Sequence, residues 1–282
     1  RTLVAPRLYC PLLLQSGARM VLPAHAARHV QVLRLQPGDA VELFHGGLPG
    51  SEGVPDAAAA GAASKETTGW FGATITHMGR AEVGVHIGDW QAPRTPEHGP
   101  VHVACAVPAN DRMDWLVEKA TELGVASIQP LLAARSVLRL SGERAHKRVA
   151  HWQAIAIAAC EQSGRTAVPW LRPLLPLESF LQQDRSSWPV NGGQNSGFAH
   201  PPVSLMLSLR EDGQSLPLAL QSIGRDRTVW LLSGPEGGLT AAEEALAMNQ
   251  GWTPVSLGPF TLRAETAPVA GLVAMGICRA AM

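Results

Sequence analysis

The sequence predicts a protein of two regions, a small β-rich amino-terminal one followed by an α/β one built on a mostly parallel sheet. Three observations predict it. Over roughly the first 90 residues the apolar segments are short, partly alternating and separated by Gly or Pro turns. Beyond the proline-containing stretch Gln91–Pro100 the pattern changes to alternating strand and helix. Within the α/β region the apolar runs Val229–Ser233 and Trp252–Leu257 each end in a Gly-containing loop. In open α/β sheets ligands bind where strands end in such loops, so the two loops are expected to share one pocket.

The elements follow in order. Arg19–Leu22, Ala40–Phe44, Trp70–Ile75 and Glu82–Ile87 read as strands. Between the first two, Ala26, Val30, Leu33 and Arg34 fall at helical spacing within His25–Leu35, and Pro37-Gly38-Asp39 makes a turn. Several strands with one helix and no βαβ alternation suggest a small barrel. Residues 48–69 read as a low-complexity hairpin extension, with an alanine run flanked by Gly, Pro and Ser. After the linker, Val101–Val107 is a buried strand. Asp111 is expected to cap a helix running to Glu122, with Met113, Leu116, Val117, Ala120 and Leu123 as its apolar stripe and Gly124 as its stop. A strand over Ala126–Leu132 precedes a long helix from Glu143 to Gln162, with Val149, Trp152, Ile155, Ala156 and Ala159 inward. Residues 184–202 read as a second Ser/Gly/Asn/Pro-rich loop. Strands over Val203–Ser208, Thr228–Ser233 and 253–257, a helix over 240–249 and a terminal helix Thr266–Ala280 complete the chain. Thr240 with Glu243 three residues on is a capping box.

Composition narrows the function. At 282 residues, 46% hydrophobic and 16% charged, the chain has a sizeable core and is not globally disordered. No apolar run reaches the ~18 residues of a membrane span, and Arg1–Gln15 does not read as a signal peptide. The four cysteines, Cys10, Cys105, Cys160 and Cys278, are scattered, as expected of reduced thiols in a cytoplasmic protein rather than a disulfide frame or zinc site. His98 and His102 lie four apart, but Gly99-Pro100 between them forbids the helix a zinc pair needs, and no metal is expected. Net charge is zero, yet Arg residues gather in 1–49 and, with Lys147, in 133–172, where Arg172 is the last of them. That distribution fits phosphates held at a defined place, or equally a solvated helix face.

Three clusters can carry chemistry. Gly234-Pro235-Glu236-Gly237-Gly238 lets backbone approach a ligand closely beside a helix start, and is also compatible with any tight strand-to-helix turn. Leu262-Arg263-Ala264-Glu265-Thr266-Ala267 puts a charged pair at the mouth of an apolar helix, where it either serves a site or forms a cap with Arg263 paired to Glu265. Glu161-Gln162-Ser163-Gly164-Arg165 gathers a carboxylate, an amide, a hydroxyl and a guanidinium, or is an ordinary polar helix end. The fingerprint of a Rossmann dinucleotide site, a P-loop and a nucleophile elbow are all missing from the sequence.

Taken together with Asp111-Arg112-Met113-Asp114-Trp115, Lys119–Val125, His29–Arg34 and Gly38-Asp39, these clusters resemble the RsmE family of bacterial methyltransferases. That family methylates uridine N3 in 16S ribosomal RNA and belongs to the SPOUT superfamily. His45-Gly46 and Phe260-Thr261 depart from its pattern. The resemblance implies a PUA-like, RNA-binding β-barrel over 1–92 and an α/β-knot (SPOUT) methyltransferase domain with a deep trefoil knot over 99–282. It also implies S-adenosyl-L-methionine as cofactor, a homodimer, and 16S ribosomal RNA or the small ribosomal subunit as partner. On that reading the cofactor is held by Leu232, Gly234, Pro235, Glu236, Gly237, Gly238, Leu257, Gly258, Leu262, Arg263, Ala264, Thr266 and Ala267. Arg165, Glu161, Arg263 and Glu265 are the catalytic candidates, and Arg7, Arg34 and Arg165 the RNA-binding ones. The rival expectations are a SPOUT enzyme acting on another ribosomal or transfer RNA position, and an RNA-binding assembly factor without turnover.

Overall fold

In the computed structural model, which describes residues 5–49, 51, 69–80, 82–94, 98–183, 202–210 and 213–280, the chain divides into two compact units. Most of the two expected low-complexity insertions, 48–69 and 184–202, lies outside the described residues.

Among the described residues the first unit is a five-stranded sheet with one helix. Its elements are β1 (Arg7–Tyr9), β2 (Arg19–Val21), α1 (Ala24–Val32), β3 (Ala40–Phe44), β4 (Trp70–Met78) and β5 (Val83–Gln91). Strand order is β1-β3-β4-β5-β2, with β1 parallel to β3 and the other pairs antiparallel. Alternation selects the inner face: Val41 and Leu43 of β3, Phe71, Ala73 and Ile75 of β4, and Val83, Val85 and Ile87 of β5 are all buried. Ala26, Ala27 and Val30 bring α1 into the same core. β1 was not expected, because three residues give periodicity too little to read.

A stretch from far down the chain completes this unit, residues 160–168. Glu161 Oε1 accepts the Tyr9 N–H at 2.9 Å, and the Val168 N–H donates to the Gly46 carbonyl at 3.0 Å. Gly46 and Ala167 form a parallel bridge.

The second unit is α/β. It contains β6 (Val101–Ala106), α2 (Arg112–Glu122), β7 (Ser127–Leu132), α3 (Gly142–Ser163, whose last turn joins the first unit), β8 (Trp170–Leu171) and β9 (Leu175–Pro176). It continues through α4 (Leu177–Leu181), β10 (Val203–Leu207), β11 (Gln214–Ser215), α5 (Leu216–Gln221) and β12 (Val229–Ser233). The last elements are α6 (Ala241–Asn249), β13 (Thr253–Ser256) and α7 (Thr266–Ala280). The sheet runs β11-β13-β10-β12-β6-β7-β8, with β9 also on β7, and every pair is parallel. Every residue of β6 and β12 is buried, as central parallel strands covered on both faces require. Trp230, Leu232, Met206, Phe180 and Trp252 form the core of one face.

Several expectations change here. Asp111 occupies the position before α2 but makes no side-chain cap bond. Its ψ of 13° is not the extended backbone that aims a side chain at the first amides, and its carboxylate lies 3.7 Å from Arg148 instead. Leu123 is exposed rather than part of the stripe. Arg172, expected in a basic surface zone, is buried: its guanidinium lies over the rings of Trp170 and Trp230, and its Nε donates to Ser127 Oγ at 3.3 Å. Burial pushes its pKa down to about 10.

Candidate functional site

Three strand ends make the site. β10 lies between β12 and β13 in the sheet, although the helical crossover from β12 to β13 follows it in the chain. At the carboxyl ends of these three strands is a cavity of about 300 Å³, the place an open parallel sheet offers a ligand. Its wall is Leu207–Leu209 after β10, Ser233–Leu239 after β12, and Leu257, Gly258 and Phe260–Leu262 after β13. Arg135, Glu244, Val255, Ala264 and Ala267 close it.

The Gly-rich loop is pinned from outside. A Cβ on Gly234 would lie 2.9 Å from the Leu239 nitrogen and 3.2 Å from the Gly238 carbonyl carbon, both backbone, so only glycine lets the loop fold back on itself there. Arg135 Nη1 donates to the Gly237 carbonyl at 2.7 Å. Glu236 Oε1 accepts the Ala109 N–H at 2.8 Å and lies 3.5 Å from Arg112 Nη1. At the far end of the loop the Thr240–Glu243 capping box is fully formed. Charged side chains thus brace the loop, and two of them, Arg135 and Glu236, also belong to the cavity lining.

The second loop is built differently. The Arg263 carbonyl accepts the N–H groups of Thr266 and Ala267 at 2.9 and 3.0 Å, which closes the turn into α7. The Arg263 side chain is exposed, and Glu265 is nearly buried. Glu265 pairs not with Arg263, as a simple cap would have it, but with Arg112, whose Nε lies 3.8 Å from Glu265 Oε1. Glu265 Oε2 is buried without a hydrogen-bond partner among the described residues.

Of the thirteen residues expected around the cofactor, Gly234–Gly238, Leu257, Gly258, Leu262, Ala264 and Ala267 line the cavity. Leu232 does not, because it faces the core inside β12, and neither do Arg263 and Thr266. Sequence reasoning missed Leu207, Ser208, Leu209, Arg135 and Glu244. The end of β10 was legible as a third strand end, but nothing in the sequence placed β10 between the other two. Ser208 Oγ donates to Glu244 Oε1 at 3.2 Å, so the missed wall is partly polar.

The remaining candidates belong to the first unit. Glu161 is engaged by the Tyr9 N–H and by His29 Nδ1 at 3.3 Å. Arg7 Nε pairs with Glu42 at 3.0 Å, and its Nη1 donates to the Gln162 carbonyl at 3.3 Å. Gly164 packs against the Arg7 guanidinium, where a Cβ would lie 2.9 Å from Arg7 Cζ. Arg165 is half-buried, and burial lowers its pKa from the ordinary guanidinium value. Arg34 is exposed in a left-handed conformation, φ 56°, just after α1. Among the described residues no cluster of His, Cys, Asp or Glu is arranged to hold a metal, and no helix is long and apolar enough to cross a membrane.

Comparison with known proteins gives consistent similarities. The RNA methyltransferase domain family matches residues 95–276. A ribosomal RNA small subunit methyltransferase E of Bacillus subtilis is 33% identical over 176 residues, which cover 62% of this chain and 64% of that protein. One from Synechocystis is 32% identical over 173 residues, covering 61% and 52% respectively. The chain thus spans less than two thirds of the length of these curated relatives. Among solved structures, a ribosomal RNA small subunit methyltransferase E from Neisseria gonorrhoeae bound to S-adenosyl methionine is 31% identical, with a TM-score of 0.75 and coverage of 96% of this chain and 97% of that one. A Legionella pneumophila structure with bound SAM is 28% identical, with a TM-score of 0.79 and coverage of 99% and 98%.

Proposed function

Because this chain belongs to the RNA methyltransferase domain family, and within it to the ribosomal RNA small subunit methyltransferase E group, we propose that it methylates N3 of one uridine in 16S ribosomal RNA using S-adenosylmethionine. The observation that carries the reading is the cavity at the carboxyl ends of β10, β12 and β13, on the α/β methyltransferase fold of the second unit.

The cavity fits the cofactor in size and chemistry. About 300 Å³ suits a nucleoside-sized group, and the Gly234–Gly238 turn exposes backbone where side chains would fill the space. Gly234, Gly237, Gly238, Leu257, Gly258 and Leu262 would hold it chiefly by backbone. When bound, the cofactor supplies an electrophilic methyl group on a sulfonium.

The chain's own residues then have two tasks. Uridine N3 is a weakly acidic imide and a poor nucleophile until its proton leaves. A guanidinium near the uracil oxygens favours the deprotonated base, and Arg165 is the first candidate for that role. The second task is alignment, worth up to ~7–11 kcal/mol, which the braced loops serve, with Arg263 and Glu265 as candidates for ordering them. Glu161, engaged with Tyr9 and His29, would position the Arg165 turn rather than meet the uracil. Arg7 and Arg34 would hold RNA phosphates.

The same reading assigns a PUA-like barrel to residues 1–92, a trefoil-knotted α/β domain to 99–282, a homodimeric assembly and a cytoplasmic location. The five-stranded sheet of the first unit and the all-parallel sheet of the second support the two domains. Mass spectrometry of ribosomal RNA from a strain lacking the protein tests the reaction. Loss of one N3-methyluridine in 16S RNA is expected; loss of a different mark, or an unchanged profile with defective subunit assembly, would overturn it.

A further inference from the structure

Two of the loops around the cavity carry a carboxylate that is engaged with the scaffold, Glu236 after β12, itself in the cavity wall, and Glu265 before α7. Both carboxylates end at the same cation. Arg112 presents Nη1 to Glu236 Oε1 at 3.5 Å and Nε to Glu265 Oε1 at 3.8 Å. Neither contact is a short hydrogen bond. A single guanidinium is shared between two anions on separate loops.

The surroundings make that charge matter. Glu265 is 9% exposed and its Oε2 has no partner among the described residues, so water cannot easily screen it. Arg263, two residues away, makes no ion pair among the described residues. Arg112 opens α2, and the turn before it also grips Glu236 through the Ala109 N–H at 2.8 Å. The scaffold around β6 and α2 thus supplies one fixed cation to both loops. Without it, two carboxylates would approach one point with like charge, and the loops would move apart.

We propose that Arg112 is a positioning residue: by neutralising Glu236 and Glu265 together it sets the spacing of the two loops and so the shape of the cofactor cavity. The proposal rests on the cofactor reading above and adds a residue that lies outside the lining of the cavity.

The test is calorimetric titration of the full chain with S-adenosylhomocysteine, the demethylated cofactor, alongside methylation kinetics and a thermal melt. Arg112→Gln is expected to weaken binding on the order of tenfold and to raise the cofactor KM while largely sparing kcat. Arg112→Lys should recover most of the loss. The decisive variant is Arg112→Gln combined with Glu265→Gln, which removes cation and buried anion together. Binding within about threefold of wild type is expected, because a charge no longer needs neutralising. If Arg112 served only to start α2, the losses would add instead of cancelling, and that result would overturn the proposal, as would Arg112→Gln binding like wild type. Should Arg112→Gln fail to fold, the double variant still decides: folding with near-normal binding supports the proposal, and failure overturns it. Wild-type protein that binds no S-adenosylhomocysteine would instead remove the cofactor reading itself.

Discussion

The Ala134 amide donates to Glu243 Oε1 at 2.7 Å, so the carboxylate that caps α6 also fastens the loop after β7. Its other oxygen accepts the Thr240 N–H at 2.8 Å and the Thr240 hydroxyl at 3.0 Å. Next to Ala134 stands Arg135, which holds the Gly237 carbonyl. One glutamate therefore supports the carboxyl-terminal side of the Gly-rich turn, directly at Thr240 and through the Ala134–Arg135 segment at Gly237. Glu243→Ala is expected to cost on the order of 3 kcal/mol, a helix cap plus a charge-assisted bond. Glu243→Gln, which keeps one acceptor, should cost about half. Urea unfolding measures both, and a loss below about 1 kcal/mol for the alanine variant would show that the Ala134 bond adds nothing.

Gly234 is the most demanding glycine of the turn. The Cβ of alanine would meet backbone atoms of Leu239 and Gly238, whereas at Gly237 it would meet only the flexible Arg135 side chain, at 3.3 Å. Gly234→Ala should therefore weaken cofactor binding more than tenfold and destabilise the fold by about 1–3 kcal/mol. Gly237→Ala should be milder, and Gly237→Val severe because its extra methyls reach further. Cofactor titration of the three variants reads the order directly; equal affinities would place the ligand elsewhere.

His102 gives the protein an acid-sensitive core. Its ring is stacked on Trp230 at 4.6 Å, its Nδ1 is 2.7 Å from Ser127 Oγ, and burial with the nearby Arg172 lowers its pKa from 6.5 to about 3. The unfolded chain takes up this proton below its ordinary pKa, while the folded chain refuses it until about pH 3. Stability from this group is thus full above pH 6.5 and falls as pH drops, by roughly 2 kcal/mol at pH 5. Unfolding free energies of wild type and His102→Asn at about pH 7.5 and about pH 5 should show a drop smaller by that amount in the variant. An equal drop in both would assign the acid sensitivity to other groups.

Arg165→Ala is expected to abolish methylation of 16S RNA and leave affinity for S-adenosylhomocysteine within about twofold, since the Arg165 turn packs in the first unit and lines no part of the cavity. Transfer of labelled methyl to RNA, run beside calorimetry, separates the two effects. Near-normal turnover would remove Arg165 from the mechanism.

The sequence made the strands legible where burial imposes a pattern. β3, β4 and β5 alternate, while β6 is apolar except for His102 and β12 is apolar up to Ser233, because a half-buried sheet and a fully covered one demand those patterns. The Thr240–Glu243 cap was legible because its chemistry is local. β8 and β9, at two residues each, and the short helices α4 and α5 carry no period to read. The wall that β10 contributes depends on strand order, a long-range property. Arg112 entered the sequence reading only within the Asp111–Trp115 motif, with no role of its own, because its two anions lie 124 and 153 positions downstream (236 minus 112, and 265 minus 112). Arg172 looked like a surface cation, since neither indole over which it lies announces that contact in sequence.

The bond from Tyr9 to Glu161 spans 152 positions of chain, and it sets a timetable. During synthesis β1 emerges early, but the segment that receives its amide and bridges Gly46 leaves the ribosome only after most of the second unit's first half has been made. At about 5–20 residues per second that interval is roughly 8–30 s. Through it the amino-terminal sheet must persist with one edge unfinished, and its closure, a long loop drawn shut late, falls among the last steps of its maturation.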